Sequence, residues 1–224
     1  MAFDRIGIVI PSYNAEKTIG GIVKNLLEMG FDRKKIIVID DGSKDNTYLS
    51  AKDYGIEVLR SEKNTGKGAA LNSGFQYAMA KGLQWVITMD ADGQHQVSEV
   101  RKFLKFTEDY DLIIGVRLKN SPDMPFLRML VNRITSLVIS LLSKKYIPDV
   151  QSGYRLINLK IFDTIELKTK NFQTESELVY RAIRNGFRIG FVPITTLYNS
   201  EKSYIMPIID TLRFVNMAVR FLWV

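Results

Sequence analysis

The chain has 224 residues, 46% of them hydrophobic, which is material for one domain with a sizeable core, and its 31 Lys and Arg outnumber 24 Asp and Glu for a formal charge of +7. That balance favours polyanionic partners (nucleic acid, anionic lipid or phosphorylated substrates) without choosing among them. The lack of cysteine excludes disulfides and thiolate metal sites, and Met1 to Arg5 has no signal-peptide pattern, so a cytoplasmic protein is expected.

Ile6-Gly7-Ile8-Val9-Ile10 is a β-branched run closed by Pro11-Ser12, the pattern of a strand buried on both faces. After Tyr13-Asn14, apolar residues recur at Ile19, Ile22, Val23, Leu26 and Leu27, a helical spacing, with Asn14 as the cap and Gly30 as the end. Ile36 to Ile39 repeats the strand pattern and ends in Asp40-Asp41-Gly42-Ser43, with a short helix expected over Thr47 to Tyr54. Ile56 to Arg60 alternates as a third strand, and Asn64-Thr65-Gly66-Lys67-Gly68 leads into a helix that turns Ala70, Leu71, Phe75, Ala78 and Met79 inward.

Val86-Ile87-Thr88-Met89 reads as a buried strand that releases Asp90 and Asp92 at its end. Side chains alternate along a strand, so both carboxylates fall on one side, about 7 Å apart, if the extended geometry persists. Two hard oxygen ligands at that spacing suit a divalent cation that also holds phosphates; a polar turn after a core strand is the plainer alternative, because Asp and Gly both form turns. Ser98 can cap a helix through Tyr110, and Leu112 to Val116 is the next strand, ending at Arg117.

Strands alternating with helices imply right-handed βαβ units and a mostly parallel sheet. Ligands in such sheets bind outside the carboxyl ends of the strands, where Pro11 to Asn14, Asp40-Asp41, Asp90 to Asp92 and Arg117 all lie. Four polar strand ends on one edge point to a ligand site.

Two amphipathic segments follow, 125–146 and 207–224. In the first, Leu127, Leu130, Val131, Ile134, Leu137, Val138, Leu141 and Leu142 share a broad face, with Arg128, Asn132, Ser136 and Ser140 opposite; it is too polar to span a bilayer. In the second, Ile208, Ile209, Leu212, Val215, Val219, Leu222 and Trp223 stand opposite Arg213, Asn216 and Arg220. Each could be core packing or a helix lying on a membrane surface, where basic flanks such as Lys144 and Lys145 would help the first, and the second could instead lie on a partner.

The pieces Ile10-Pro11-Ser12-Tyr13-Asn14-Ala15-Glu16, Asp40 to Thr47, Asn64 to Ala70, Asp90-Ala91-Asp92-Gly93-Gln94-His95 and Gln151-Ser152-Gly153-Tyr154-Arg155, in this order, resemble the family 2 glycosyltransferases of GT-A fold, especially the branch around dolichyl-phosphate mannose and glucose synthases. The resemblance covers nearly all of the chain. It implies an α/β, Rossmann-like, mostly parallel sheet flanked by helices, with C-terminal amphipathic helices: a single domain, 1–224, whose half 1–117 binds nucleotide sugar and whose half 118–224 takes the acceptor.

Carried onto this sequence, the resemblance implies that Pro11, Tyr13, Asn14 and Glu16 line a nucleotide pocket, and that Asp41, beside Asp40, bonds the base or ribose of a UDP- or GDP-sugar. Lys67 would lie near the same pocket; a solvated helix end is the plainer but less favoured reading of Glu16 and Lys67. Asp90, Asp92 and Gln94 would hold Mg²⁺ or Mn²⁺ against the diphosphate, making Asp92 catalytic, with His95 positioning rather than ligating. The segment from Asp149 through Ser152 to Arg155, with Glu175 and Glu177, would lie beside the acceptor. A hydroxyl acceptor needs a carboxylate base, either Glu175 or Glu177. A phosphate acceptor is already anionic and needs positive charge, for which Arg117, Arg128 and Arg155 are available.

The chain departs from the branch at Gln96-Val97, where paired prolines are common, at Tyr154, where phenylalanine is commoner, and at Tyr204, where a basic residue often follows Ser203. The leading expectation is a metal-dependent inverting transferase from a nucleotide-diphosphate sugar to a polyprenyl or dolichyl phosphate. It would be cytoplasmic and peripheral on the membrane's cytoplasmic face, without a nucleic-acid partner. Transfer to a hydroxyl is the alternative, and a non-catalytic nucleotide-sugar or lipid binder the alternative from another class. Related nucleotidyltransferases are disfavoured because their Gly-rich phosphate loop near the first strand is missing.

Overall fold

The computed structural model describes residues 5–117, 126–197 and 207–222, except the side chains of residues 126–128 and 207–208. Its frame is a seven-stranded sheet of order β3-β2-β1-β4-β6-β5-β7. The strands are β1 (Ile6–Ser12), β2 (Ile36–Asp40), β3 (Glu57–Arg60), β4 (Trp85–Thr88), β5 (Leu112–Arg117), β6 (Arg155–Asn158) and β7 (Ile189–Ile194). β1 is buried along its whole length between β2 and β4, both parallel to it, with Val9 opposite Ile37 on one side and Thr88 on the other. β6 alone runs against its neighbours, wedged between β4 and β5.

Because strand side chains alternate, each strand feeds two cores. Ile8, Ile10, Val38, Ile87 and Leu156 point into one, covered by α1 (Ile19–Glu28), α2 (Thr47–Lys52) and α4 (Val100–Leu104). Val9, Ile37, Val86, Leu112 and Ile157 point into the other, covered by α3 (Lys67–Ala80), α5 (Phe126–Ser143), α6 (Thr174–Arg184) and α7 (Pro207–Phe221).

The expected elements through β5 are present, with corrected ends. Thr18, not Asn14, occupies the cap position of α1; Asn14 sits at φ 50° and takes the Lys44 N–H on its side chain instead. The helix expected from Ser98 to Tyr110 is a 3-10 turn over Val97–Glu99 followed by the five-residue α4.

Of the two orientations open to α5, most of its broad apolar face turns outward. Thr135, Ser136, Ile139 and Ser143 are its buried residues, whereas Leu130, Ile134, Leu137 and Leu141 are exposed. The hydroxyls turn inward because they have partners there: Ser136 Oγ accepts the Val150 N–H at 3.0 Å and Ser140 Oγ the Ile147 N–H at 2.9 Å. α7 packs through Phe214, Met217 and Phe221, with the Phe221 ring stacked on Tyr180 at 3.9 Å, and leaves Ile209, Leu212, Val215, Val219 and Leu222 outward. Among the described residues no helix is long and apolar enough to cross a membrane.

Candidate active site

β4 stops at Thr88, so Asp90 and Asp92 sit on a turn and not on the extended backbone first expected. Asp92 Oδ1 accepts the Gln94 N–H at 2.9 Å, which folds the turn back on itself. The Asp90 N–H donates to His95 Nδ1 at 3.2 Å, and the His95 ring stacks on Tyr154 at 4.8 Å. Thr88 Oγ1 donates to the Gly153 carbonyl at 2.7 Å, pinning the 151–155 segment beside Asp90. A Cβ at residue 153 would stand 2.6 Å from both Asp90 oxygens, so only glycine permits this approach.

On the other side stands Lys67, in the first turn of α3. Its Nζ lies 2.6 Å from Asp90 Oδ1 and 2.9 Å from Glu175 Oε1, in the first turn of α6. Gly66 makes this possible with φ 105°, a conformation that L side chains rarely adopt.

The electrostatics follow from these contacts. Burial presses hardest on the Lys67 ammonium, but the charges of Asp90 and Glu175 outweigh it and raise its pKa. Burial likewise favours neutral Asp90, and the Lys67 charge overrides it, holding Asp90 below the usual carboxylate range. Asp92 is shifted the opposite way, by burial and then by the negative charge of Asp90. Burial keeps His95 low, consistent with a neutral ring whose Nδ1 accepts.

No group of three or more His, Cys, Asp or Glu able to hold a metal occurs among the described residues. Two neighbouring carboxylates remain, Asp90 and Asp92. That donor set fits Mg²⁺ or Mn²⁺ that completes its shell with phosphate oxygens and water, and does not fit an all-protein cage. Gln94 is buried, and its main chain is engaged through Asp92 and the Leu197 N–H.

The residues expected around a nucleotide are held by one another, because main-chain N–H groups beyond the strand ends have no ladder partner. Asp41 Oδ1 accepts from the Thr65 N–H at 2.8 Å and the Thr65 hydroxyl at 2.7 Å, and Oδ2 from the Gly66 N–H at 2.8 Å. Asp40 is fully buried, takes the Ser43 N–H at 2.9 Å and stands 3.2 Å from Arg60 Nε, a structural position rather than one facing a ligand. Glu16 Oε2 accepts the Asn46 N–H at 3.1 Å, and the Asn14 N–H donates to Ser43 Oγ at 2.9 Å. Pro11 is buried inside β1 opposite Ile39, and Tyr13 is half-buried beyond its end.

On the acceptor side three expectations change. Arg155 is 1% exposed and spends its guanidinium on the carbonyls of Ser152, Glu175 and Val150, which ties the 150–155 segment to α6. Arg117 forks onto Asp149 at 2.7 and 2.8 Å. Glu177 is buried and accepts from the Lys168 and Thr169 N–H groups, the Thr169 hydroxyl and Arg181, so it caps that loop and is not placed as a base. Ser152 Oγ is buried without a hydrogen-bond partner among the described residues. Arg128 and Lys202 to Tyr204 lie outside the described side chains. Sequence reasoning missed the packing of Gly153 on Asp90 and the Thr88 contact; a lone glycine within Ser-Gly-Tyr was the only signal.

Residues 7–166 match the family described as Glycosyl transferase family 2. The chain is 34% identical over 223 residues to a UDP-N-acetylglucosamine–dolichyl-phosphate N-acetylglucosaminyltransferase of Methanococcus voltae, with 88% of each chain covered. It is 29% identical over 201 residues to a polyprenol monophosphomannose synthase of Mycolicibacterium smegmatis, covering 84% of this chain and 76% of that one. Glucosyl-3-phosphoglycerate synthase from Mycobacterium tuberculosis, solved with Mn²⁺, uridine diphosphate and phosphoglyceric acid, shares the fold at TM-score 0.74 and 18% identity, over 97% of this chain and 76% of that one.

Proposed function

Since the chain belongs to glycosyl transferase family 2 and is a glycosyltransferase of GT-A fold, we propose that it moves a sugar from a nucleotide-diphosphate sugar to a lipid phosphate of polyprenyl or dolichyl type, using Mg²⁺ or Mn²⁺ and inverting the anomeric carbon. The observation that carries this reading is the Asp90–Lys67–Glu175 chain of charges, with Asp92 beside it, at the carboxyl edge of the sheet. The relatives named above act, by their names, on dolichyl phosphate and make polyprenol monophosphomannose, and the enzyme of like fold binds Mn²⁺ with uridine diphosphate. Inversion rests on the family resemblance.

In this reading Asp90 and Asp92 would hold the cation, whose charge would favour departure of the anionic diphosphate. Gly153 and His95 fix Asp90, while Asp41 fixes the loop that delivers Lys67. Pro11, Tyr13, Asn14 and Glu16 border the nucleotide, and Asp41 reaches its base or ribose. The acceptor approaches from the 149–155 side, next to the buried Ser152 hydroxyl. A phosphate monoester is already anionic at neutral pH and attacks without a base. That suits a site where Glu177 is taken by its loop and Glu175 by Lys67.

The outward faces of α5 and α7 suit the same acceptor. Leu137, Leu141, Leu212 and, just past α7, Leu222 are 59, 69, 64 and 68% exposed, with Arg133 and Arg220 exposed on the same two helices and Lys144 exposed just past the end of α5. An apolar stripe flanked by basic residues lies well on an anionic membrane surface, where a lipid phosphate has to be met. The deciding experiment is turnover of a panel of UDP- and GDP-sugars with polyprenyl phosphate or hydroxyl acceptors, with and without Mg²⁺ or Mn²⁺. Metal-dependent transfer to polyprenyl phosphate is expected. Transfer to hydroxyl acceptors alone would overturn the acceptor and return Glu175 to the role of base.

A further inference from the structure

The Lys67 ammonium is bonded to one of the two oxygens that Asp90 could offer a metal. Its Nζ is 2.6 Å from Asp90 Oδ1, and a Mg²⁺ or Mn²⁺ bound there would stand about 2.0–2.2 Å from the same atom. Two cations on one carboxylate repel, more strongly here than in water because the Lys67 and Asp90 side chains are only 16 and 26% exposed. Asp90 has little room to turn away, because its carboxylate fills the space where a residue 153 side chain would begin and His95 anchors its main-chain N–H. Lys67 cannot simply drift off, because Glu175, 6% exposed, anchors it at 2.9 Å. A diphosphate changes the balance: it offers the ammonium new anionic acceptors and offers the metal the oxygens that two carboxylates alone do not supply.

We infer that Lys67 is a built-in counter-cation that keeps divalent metal off Asp90 until the donor's diphosphate draws it aside, so that metal and nucleotide load together and metal does not bind first. This rests on the donor reading above. Lys67 is thereby a positioning residue for loading.

The test is Mn²⁺ binding followed by electron paramagnetic resonance, alone and with inorganic pyrophosphate, UDP or GDP, each protein being checked for native circular dichroism. The wild type should bind Mn²⁺ alone at least about tenfold more weakly than with one of the diphosphates. Lys67→Met, with Lys67→Gln as a second neutral variant, should bind Mn²⁺ alone about tenfold or more tightly than the wild type. Adding Asp90→Asn should abolish that gain, and Lys67→Arg should keep the weak affinity. Equal affinity for Mn²⁺ alone in wild type and both neutral variants, with diphosphate-dependent binding intact, overturns the inference and leaves the donor reading standing. Mn²⁺ binding by no variant under any condition overturns both.

Discussion

Gly153 is packed so closely on Asp90 that a Cβ at residue 153 would meet both carboxylate oxygens at 2.6 Å. Lys67 holds that carboxylate at 2.6 Å while His95 anchors the Asp90 main-chain N–H, so the side chain has little freedom to yield. Gly153→Ala is expected to displace Asp90 at an overpacking cost of about 1–3 kcal/mol and to lower donor turnover by more than about 100-fold, since misplacement by an ångström is that expensive in catalysis. Turnover of the folded variant within a few-fold of wild type would show that Asp90 need not hold this position.

Asp41 ties three donors of residues 65 and 66 at the start of α3. Asp41→Ala strands the buried Gly66 N–H, whereas the Thr65 donors are exposed enough to turn to water, so the chain should lose about 1–3 kcal/mol by urea unfolding. Because that loop leads directly into Lys67, affinity for a nucleoside diphosphate should fall with it, by calorimetry. Full stability in the variant would mean that these contacts carry no load.

The long apolar runs of β1, β2, β4 and β5 were legible because both faces of each are buried, and the Asp90–Asp92 turn stood out because it is one of four polar strand ends on a single sheet edge. β6 was not: Arg155-Leu156-Ile157-Asn158 is four residues long and opens on an arginine whose burial depends on three carbonyls elsewhere in the chain. β7 hid behind Gly190 and Pro193, which an edge strand tolerates and a central strand would not. In α6, Glu175 and Glu177 drew notice as chemistry when they are also an acidic first turn, favourable at a helix start. Partners distant in sequence, such as Lys67 and Glu175, leave no local pattern at all.

Asp149 gives a pH dependence with a definite sign. Burial favours its neutral form, but the Arg117 charge and hydrogen bonds outweigh this and hold its carboxyl below the ordinary value. Its contribution is therefore complete above the unfolded pKa, about 3.9, and is lost as pH falls through the lower folded value. At neutral pH, Asp149→Asn leaves Arg117 without its buried counter-charge and should cost about 3 kcal/mol in urea unfolding. The gap to wild type should narrow below about pH 4. A gap that stays constant from pH 6 to pH 3 would assign the loss to packing instead of charge.

The outward apolar face of α5 separates stability from membrane contact within one helix. Ser136 is buried and accepts the Val150 N–H, so Ser136→Ala leaves a buried donor unpaired and should cost about 1–3 kcal/mol. Leu137, its immediate neighbour, and Leu141, one turn on, are exposed, so Leu137→Ser and Leu141→Ser should change stability by no more than about 0.5 kcal/mol. On a lipid surface the order reverses. Each leucine buries apolar area that serine does not, whereas Ser136 never reaches the bilayer. Co-sedimentation with anionic liposomes should weaken several-fold in the double leucine variant and stay unchanged in folded Ser136→Ala. Raising salt should remove the basic contribution of Arg133, Lys144 and Arg220 while the apolar part persists, because only the charges are screened. Binding that vanishes completely with salt, or that ignores both leucines, would take α5 off the membrane and leave its outward leucines without that role.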